Sequence, residues 1–267
     1  MKLVGNDRPL IMAHRGDSAT TPENTLLSLK SAIEVGVDFI ETDVRLTKDD
    51  IPILFHDDSL ERTTGESGTI REKSFDELKS IDLGYNFTPD DGKSYPYRGQ
   101  GLTVVSLKEA FKAFPKTWFN LDIKDEDIDA PEILASVIKE CDRKHRVIVG
   151  SFHDTQAYRF RKIMPEVITS ACPSEVTRFV FALKMRVLRL FSKGCPYEVF
   201  QVPMKYGRIS VVDERFIKAA HDRNTAVHVW TVNERELMEY LINLGVDGIF
   251  TDRPALLKDV LVEKGLV

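Results

Sequence analysis

Several things are scarce in this chain of 267 residues. It has three cysteines, Cys141, Cys172 and Cys195, an odd number, widely spaced and with no C-x-x-C pair. That excludes a disulfide framework and a thiolate zinc site. It fits free thiols in a reducing compartment, for which the cytoplasm is the default expectation. Basic charge is not in excess: 37 lysines and arginines face 42 acidic residues, and the net charge of −5 provides no overall field to attract nucleic acid. No stretch is apolar enough to span a bilayer, and residues 1–9 lack the apolar segment of a signal peptide. Neither a G-x-G-x-x-G nor a P-loop pattern is present, which disfavours a dinucleotide fold. No arrangement suggests a Ser-His-Asp or Cys-His nucleophile.

What is present is alternation. Short apolar runs near 10–13, 39–45, 53–55, 119–123, 147–150, 167–170, 199–202, 226–231 and 248–251 read as strands. Helical patterns separate them at 22–35, 74–81, 106–114, 131–141, 154–163, 213–222, 234–244 and 254–264. The first of these opens at Pro22 and closes at Gly36, the asymmetry expected of helix ends. About eight strand–helix repeats in this length predict a single-domain TIM (β/α)8 barrel ahead of an open doubly wound sheet.

Two segments exceed a plain barrel. Residues 57–105 are too long for a loop and rich in turn signals, so a small cap over the barrel mouth is expected after the strand ending at His56. Residues 176–192 have helical period, with Phe179, Val180, Leu183, Val187, Leu190 and Phe191 on one arc and Arg178, Arg186 and Arg189 opposite. They read as an outer barrel helix or, in the sharper alternative, as an interfacial helix that meets lipid.

The polar residues at strand ends carry the chemistry. In the run Phe39–Arg45, Glu41 and Asp43 share a face. On an isolated strand that face would be solvated, but strands of a parallel barrel are covered on both sides. The two carboxylates then point inward near the C-terminal mouth, where barrel active sites sit, and a cation becomes the favoured explanation for burying them. Asn120, Asp122 and Lys124 repeat the alternation, so Asp122 can supply a third oxygen and Lys124 a positive charge beyond it. His14 follows the first strand, beside Arg15, whose planar fork suits two phosphate oxygens, and His56 ends another apolar run. An electropositive pocket flanked by two imidazoles suits a phosphate diester. Trp230 and Phe152 are candidates to cover a glycerol or headgroup, core packing being the competing role. His228 reads as a hydrogen-bonded core residue, and Asp247 and Asp252 as loop-bonding groups at the last strand.

In order and spacing, these elements resemble the glycerophosphodiester phosphodiesterase family almost end to end. They are Ala13-His14-Arg15-Gly16, Pro22-Glu23-Asn24-Thr25, Glu41-Thr42-Asp43-Val44, His56-Asp57 with Arg62-Thr63-Thr64-Gly65, Leu121-Asp122-Ile123-Lys124, Ser151-Phe152, Trp230-Thr231-Val232-Asn233 and Asp247-Gly248-Ile249-Phe250-Thr251-Asp252-Arg253-Pro254. The resemblance implies a TIM barrel with an insertion after His56 and hydrolysis of glycerophosphodiesters to sn-glycerol 3-phosphate and an alcohol, with Mg2+ or Ca2+. It further implies His14 and His56 as the acid/base pair, Glu41 and Asp43 as metal ligands, Arg15 and Lys124 as phosphate-binding groups, and a Pro-Glu-Asn-Thr turn that braces the His14 loop. Asp122 stands where the family usually has a glutamate, and Val105-Ser106-Leu107 where it tends to have Pro-Thr-Leu. The rival expectations are a lysophospholipase D acting on lysolipids and a non-catalytic barrel that binds a phosphorylated ligand.

Overall fold

Eight parallel strands, joined through helices, curl into a nearly closed barrel in the computed structural model, which describes residues 2–188 and 194–267. In chain order the strands are β1 (Leu10–His14), β2 (Phe39–Leu46), β3 (Pro52–Leu54), β4 (Trp118–Ile123), β5 (Val147–Gly150), β6 (Ile168–Thr169), β7 (Val199–Val202), β8 (Lys205–Tyr206), β9 (Ile209–Ser210), β10 (Ala226–Val229) and β11 (Gly248–Thr251). The barrel runs β6-β5-β4-β2-β1-β11-β10-β7, and a parallel bridge between Ser170 and Val199 brings its two ends together. The longer helices are α1 (Leu26–Val35), α4 (Leu107–Ala113), α5 (Ala130–Glu140), α6 (Asp154–Ile163), α7 (Pro173–Lys184), α8 (Glu214–His221), α9 (Arg235–Leu244) and α10 (Pro254–Glu263). The short helices α2 (Glu61–Thr64) and α3 (Phe75–Leu78) belong to the segment after β3.

Side-chain parity divides the barrel interior into two layers. Leu10, Met12, Phe39, Ile148, Val199, Ala226 and Phe250 pack as a closed apolar floor. Two or four residues further along β1 and β2, and level with them on β4, the inward positions become His14, Glu41, Asp43, Asn120 and Asp122. Period-two alternation thus carries each strand from an apolar floor to a polar mouth at its C-terminal end. His228 lies in the floor, fully buried, and neither ring nitrogen has a hydrogen-bond partner. It is a core histidine, but not the hydrogen-bonded one expected. Burial drives its pKa down to about 3, so the ring is neutral.

The structure corrects three element expectations. β3 is not a barrel strand: it pairs antiparallel with β2, Val44 opposite Leu54. Only five residues, 47–51, join the two, with Asp50 in the left-handed region, φ 60°. That is a hairpin connection, too short for the crossover a parallel pair needs. Helix α1 begins after Thr25, whose hydroxyl accepts from Ser28 N, and not at Pro22, because Asn24 at φ 58° cannot continue a helix. The helix expected over 176–192 begins at Pro173 and ends at Lys184; Met185 caps it and Arg186 turns at φ 59°. Leu188 is the last described residue before 194, so the expected positions Arg189, Leu190 and Phe191 lie outside the described residues.

Residues 57–105 pack around Leu60, Ile70, Leu78, Leu83 and Val104, against Ile53 and Phe55. A further hairpin, β8–β9, follows β7 outside the barrel sheet, and its four strand residues are exposed. Among the described residues, no helix is long and apolar enough to cross a membrane.

Candidate active site

Strand register assembles the site. His14 is the β1 partner of Glu41, Glu41 is level with Asn120, and Asp43 is level with Asp122, so the three strands β1, β2 and β4 bring these side chains to the mouth together. Lys124 follows β4, its backbone N–H donating to Val44 O. His56 arrives from a different direction, two residues beyond the antiparallel β3. All of them, with Arg15, Phe152 and Trp230, line one cavity of about 1010 Å3.

Each histidine is held by a carboxylate on Nδ1. His14 Nδ1 lies 2.6 Å from Asp252 Oδ1, and His56 Nδ1 lies 2.7 Å from Asp57 Oδ1. These contacts assign the proton on each Nδ1 and leave both Nε2 atoms for other work. His14 Nε2 stands 3.9 Å from Glu41 Oε2. Burial alone pushes His14 down, but Glu41 and the hydrogen bond to Asp252 outweigh it, and its pKa is raised. For His56, burial wins over the attraction of Asp43, and its pKa is lowered. Asp252 in turn accepts from Asn233 Nδ2 at 2.6 Å and from Ser18 Oγ at 3.0 Å.

The carboxylates are unequal. Burial and the Asp43 charge push Glu41 up to about 7. Burial also pushes Asp43 upward, but Lys124 and Arg15 bring it below the usual range. Lys124 Nζ lies 3.1 Å from Asp43 Oδ1 and 2.7 Å from Asp122 Oδ2, and Arg15 Nε lies 3.0 Å from Asp43 Oδ2, close but off the hydrogen-bond axis. Burial, only partly offset by Lys124, raises Asp122, and its Oδ1 is buried without a hydrogen-bond partner.

Three buried carboxylates, one with an unmatched oxygen, are the donor chemistry of a hard divalent cation. Among the described residues, no three acidic, imidazole or thiol groups are gathered so as to hold an ion, and the Lys124 ammonium pairs with both Asp43 and Asp122. A cation there would share the carboxylates with Lys124.

Arg15 adopts φ 58°, and Gly16 follows at φ 89°; a Cβ on Gly16 would meet the Ser28 Oγ and backbone. This tight turn folds the Arg15 guanidinium back over Asp43, with Nη1 on Glu23 Oε1 at 3.1 Å. Asn24 N–H donates to Arg15 O, and Asn24 Oδ1 accepts from Thr42. Glu23 also accepts two hydrogen bonds from Arg62, whose Nε reaches Asp57. The segment after β3 therefore meets the mouth through Arg62 as well as through His56 and Asp57. Phe152 and Trp230 stack edge to face at 5.6 Å, and Lys124 Nζ sits 5.1 Å over the Phe152 ring. These aromatic and basic groups adjoin across the pocket wall.

Asp252, expected as a loop-bonding group, holds His14, Asn233 donates to Asp252, and Arg62 bridges Glu23 and Asp57, contacts that the spacing of these motifs does not reveal. Asp252 comes 238 positions after its histidine, although a carboxylate just past the last barrel strand is a legible sign of a mouth residue. Outside the site, His221 Nε2 lies 2.7 Å from Asp247 Oδ2.

Comparison with known proteins places the chain. The model of the glycerophosphoryl diester phosphodiesterase family matches residues 14–256. The chain belongs to that family. Membership makes it an enzyme and removes the alternative of a barrel that only binds a phosphorylated ligand. A glycerophosphodiester phosphodiesterase of Caldanaerobacter subterraneus subsp. tengcongensis is 32% identical over 97% of this chain and 99% of its own. A Mycobacterium tuberculosis glycerophosphoryl diester phosphodiesterase domain superposes with a TM-score of 0.84, covering 94% of this chain and 98% of that one; at 19% identity it speaks for the fold. An Oleispira antarctica phosphodiesterase, solved with the product sn-glycerol-3-phosphate, has a TM-score of 0.75 at 27% identity, covering 96% of this chain and 97% of that one.

Proposed function

We propose that the chain hydrolyses glycerophosphodiesters such as glycerophosphocholine and glycerophosphoethanolamine to sn-glycerol 3-phosphate and an alcohol, in a metal-dependent, two-histidine reaction. The observation that carries this reading is a pair of imidazoles, each steadied on Nδ1 by its own aspartate, lining the cavity that also holds Arg15 and Lys124. Arg15 and Lys124 bind the phosphate oxygens and counter their growing charge. One histidine takes the proton of the attacking oxygen, and the other donates a proton to the departing alkoxide as its bond to phosphorus breaks. The attacker is water or the substrate's own 2-hydroxyl; the latter passes through a cyclic phosphate that water opens.

Glu41, Asp43 and Asp122 would hold the divalent cation, Mg2+ or Ca2+. When bound, it supplies positive charge to the phosphoryl oxygens. Phe152 and Trp230 give the bound substrate an apolar wall, where the ring of Phe152 also confines the Lys124 ammonium.

Replacing either His14 or His56 with Ala tests the assignment. Each variant should lose about two or more decades of kcat on glycerophosphocholine, while still gaining thermal stability from added divalent cation as the parent does. Full activity in either one would remove that histidine from the reaction.

A further inference from the structure

Helix α7 buries one face and leaves another in water. Phe179 and Ala182 are buried, Phe179 stacks on Phe200 and Phe216, and Val176, Val180 and Leu183 pack partly against the same core. The apolar arc expected over 176–192 is therefore, through Phe179, Val180 and Leu183, the face turned to the barrel. Phe181 and Met185, one turn apart, lie off that face and are 63% and 58% exposed. The β8–β9 hairpin repeats the feature. Tyr206 and Ile209 pair across its turn and are 77% and 50% exposed, on strands that add nothing to the barrel sheet. Packing of the fold accounts for none of these four side chains.

The four belong to one surface. All of them line the cavity that holds His14 and Lys124 and, exposed as they are, form its rim, so α7 and the hairpin are two lips beside the barrel mouth. Large apolar side chains gathered in water cost solubility and mark a surface that a partner covers. The charges set among them select the partner. Lys184 and Arg186 adjoin Met185, Lys205 and Arg208 adjoin Tyr206 and Ile209, and all four cations are exposed. Among the described residues, none of the four forms an ion pair. No aspartate or glutamate occurs in 176–188 or 203–212. In a chain of net charge −5 the acidic excess lies elsewhere, so an anionic plane attracts this face and repels the rest of the molecule. An anionic bilayer satisfies both features at once. Its headgroup phosphates meet the cations, and the boundary with the acyl region takes the rings and aliphatic ends.

We infer that the α7 and β8–β9 lips dock the enzyme on the surface of an anionic phospholipid bilayer. Phe181, Met185, Tyr206 and Ile209 enter the interface, and Lys184, Arg186, Lys205 and Arg208 lie among the headgroup phosphates. Docking turns the barrel mouth toward the membrane. It calls for no change in substrate or reaction, so it stands or falls apart from the phosphodiesterase reading.

The test is co-sedimentation of the whole chain with vesicles of phosphatidylcholine alone and of an equal mixture of phosphatidylcholine and phosphatidylglycerol. The chain should bind the mixed vesicles and not the neutral ones, and high salt should weaken that binding sharply. Lys205→Ala/Arg208→Ala should weaken it about 30-fold, roughly fivefold for each cation lost. Phe181→Ser/Ile209→Ser should weaken it by about tenfold or more. Thermal unfolding unchanged in both variants, and glycerophosphocholine turnover unchanged in the first, show that the loss is one of docking and not of folding. Binding to neither vesicle, equal binding to both, or binding that both variants retain overturns the proposal. So does a dimer, seen by sedimentation velocity without vesicles, that Phe181→Ser/Ile209→Ser splits into monomers, because a second copy of the chain would then cover this face.

Discussion

Asp252 and His14 illustrate how much of the site depends on single atoms. Burial pushes the Asp252 carboxyl up, but the hydrogen bond and charge of His14, helped by Asn233 and Ser18, bring it down to about 2. A carboxyl whose folded pKa is depressed contributes stability that is present above its unfolded value of about 3.9 and is lost as the pH falls through about 2. Asp252→Asn should therefore flatten the acid limb of stability across that window, read by thermal unfolding at a series of pH values. It should also cost about 10- to 100-fold in kcat, since the amide no longer fixes the His14 tautomer by charge. An unchanged kcat would reduce Asp252 to a loop contact. The sequence made the other half of the site readable at this scale. Glu41 and Asp43, then Asn120, Asp122 and Lys124, alternate on strands whose neighbours must be buried, and the observed register sets Asp43 beside Asp122. Alternation could not give Asp252, because nothing local joins it to a histidine 238 positions away. Nor could it reveal that Lys124 would stand between two of the carboxylates.

At the scale of elements, the segment after β3 acts on the mouth from beside it. Residues 57–105 add nothing to the lining of the main cavity; they meet it through Asp57 on His56 and through Arg62, which joins Asp57 to Glu23. Arg62 is half exposed, so its ion pairs add little to global stability. Their work is to hold Asp57 against His56 and Glu23 against Arg15. Arg62→Ala should lower kcat/KM on glycerophosphocholine by about tenfold, with the unfolding temperature little changed, and Arg62→Lys should recover only part because one ammonium cannot span both carboxylates. Full activity in the Ala variant would show that the insertion and the mouth are independent. His56 could be found from the apolar run that precedes it, but the direction of β3 was misread. The five-residue connection after β2 already called for a hairpin, whereas the apolar run alone gave no direction. The β8–β9 hairpin escaped notice for a related reason: two-residue strands around the Gly207 turn have no periodicity to detect.

Across the whole molecule, a barrel was legible because strand–helix alternation is a property of the entire chain and survives errors at element ends. Once β3 is set aside, the eight remaining barrel strands close on themselves, with an apolar floor beneath a polar mouth. The floor is apolar, and the mouth concentrates carboxylates whose repulsion Arg15 and Lys124 relieve. Glu41, pushed up to about 7, is where that repulsion is least relieved. The sequence could nominate Asp122 as a third oxygen, and while Lys124 holds its Oδ2, its buried Oδ1 is an acceptor without a partner. The most direct measurement is release of sn-glycerol 3-phosphate from glycerophosphocholine by chelator-treated protein, before and after titration with Mg2+ or Ca2+. The account predicts no turnover after chelation, recovery with added cation, and no recovery in Asp43→Asn. Undiminished turnover in the chelated protein would contradict it.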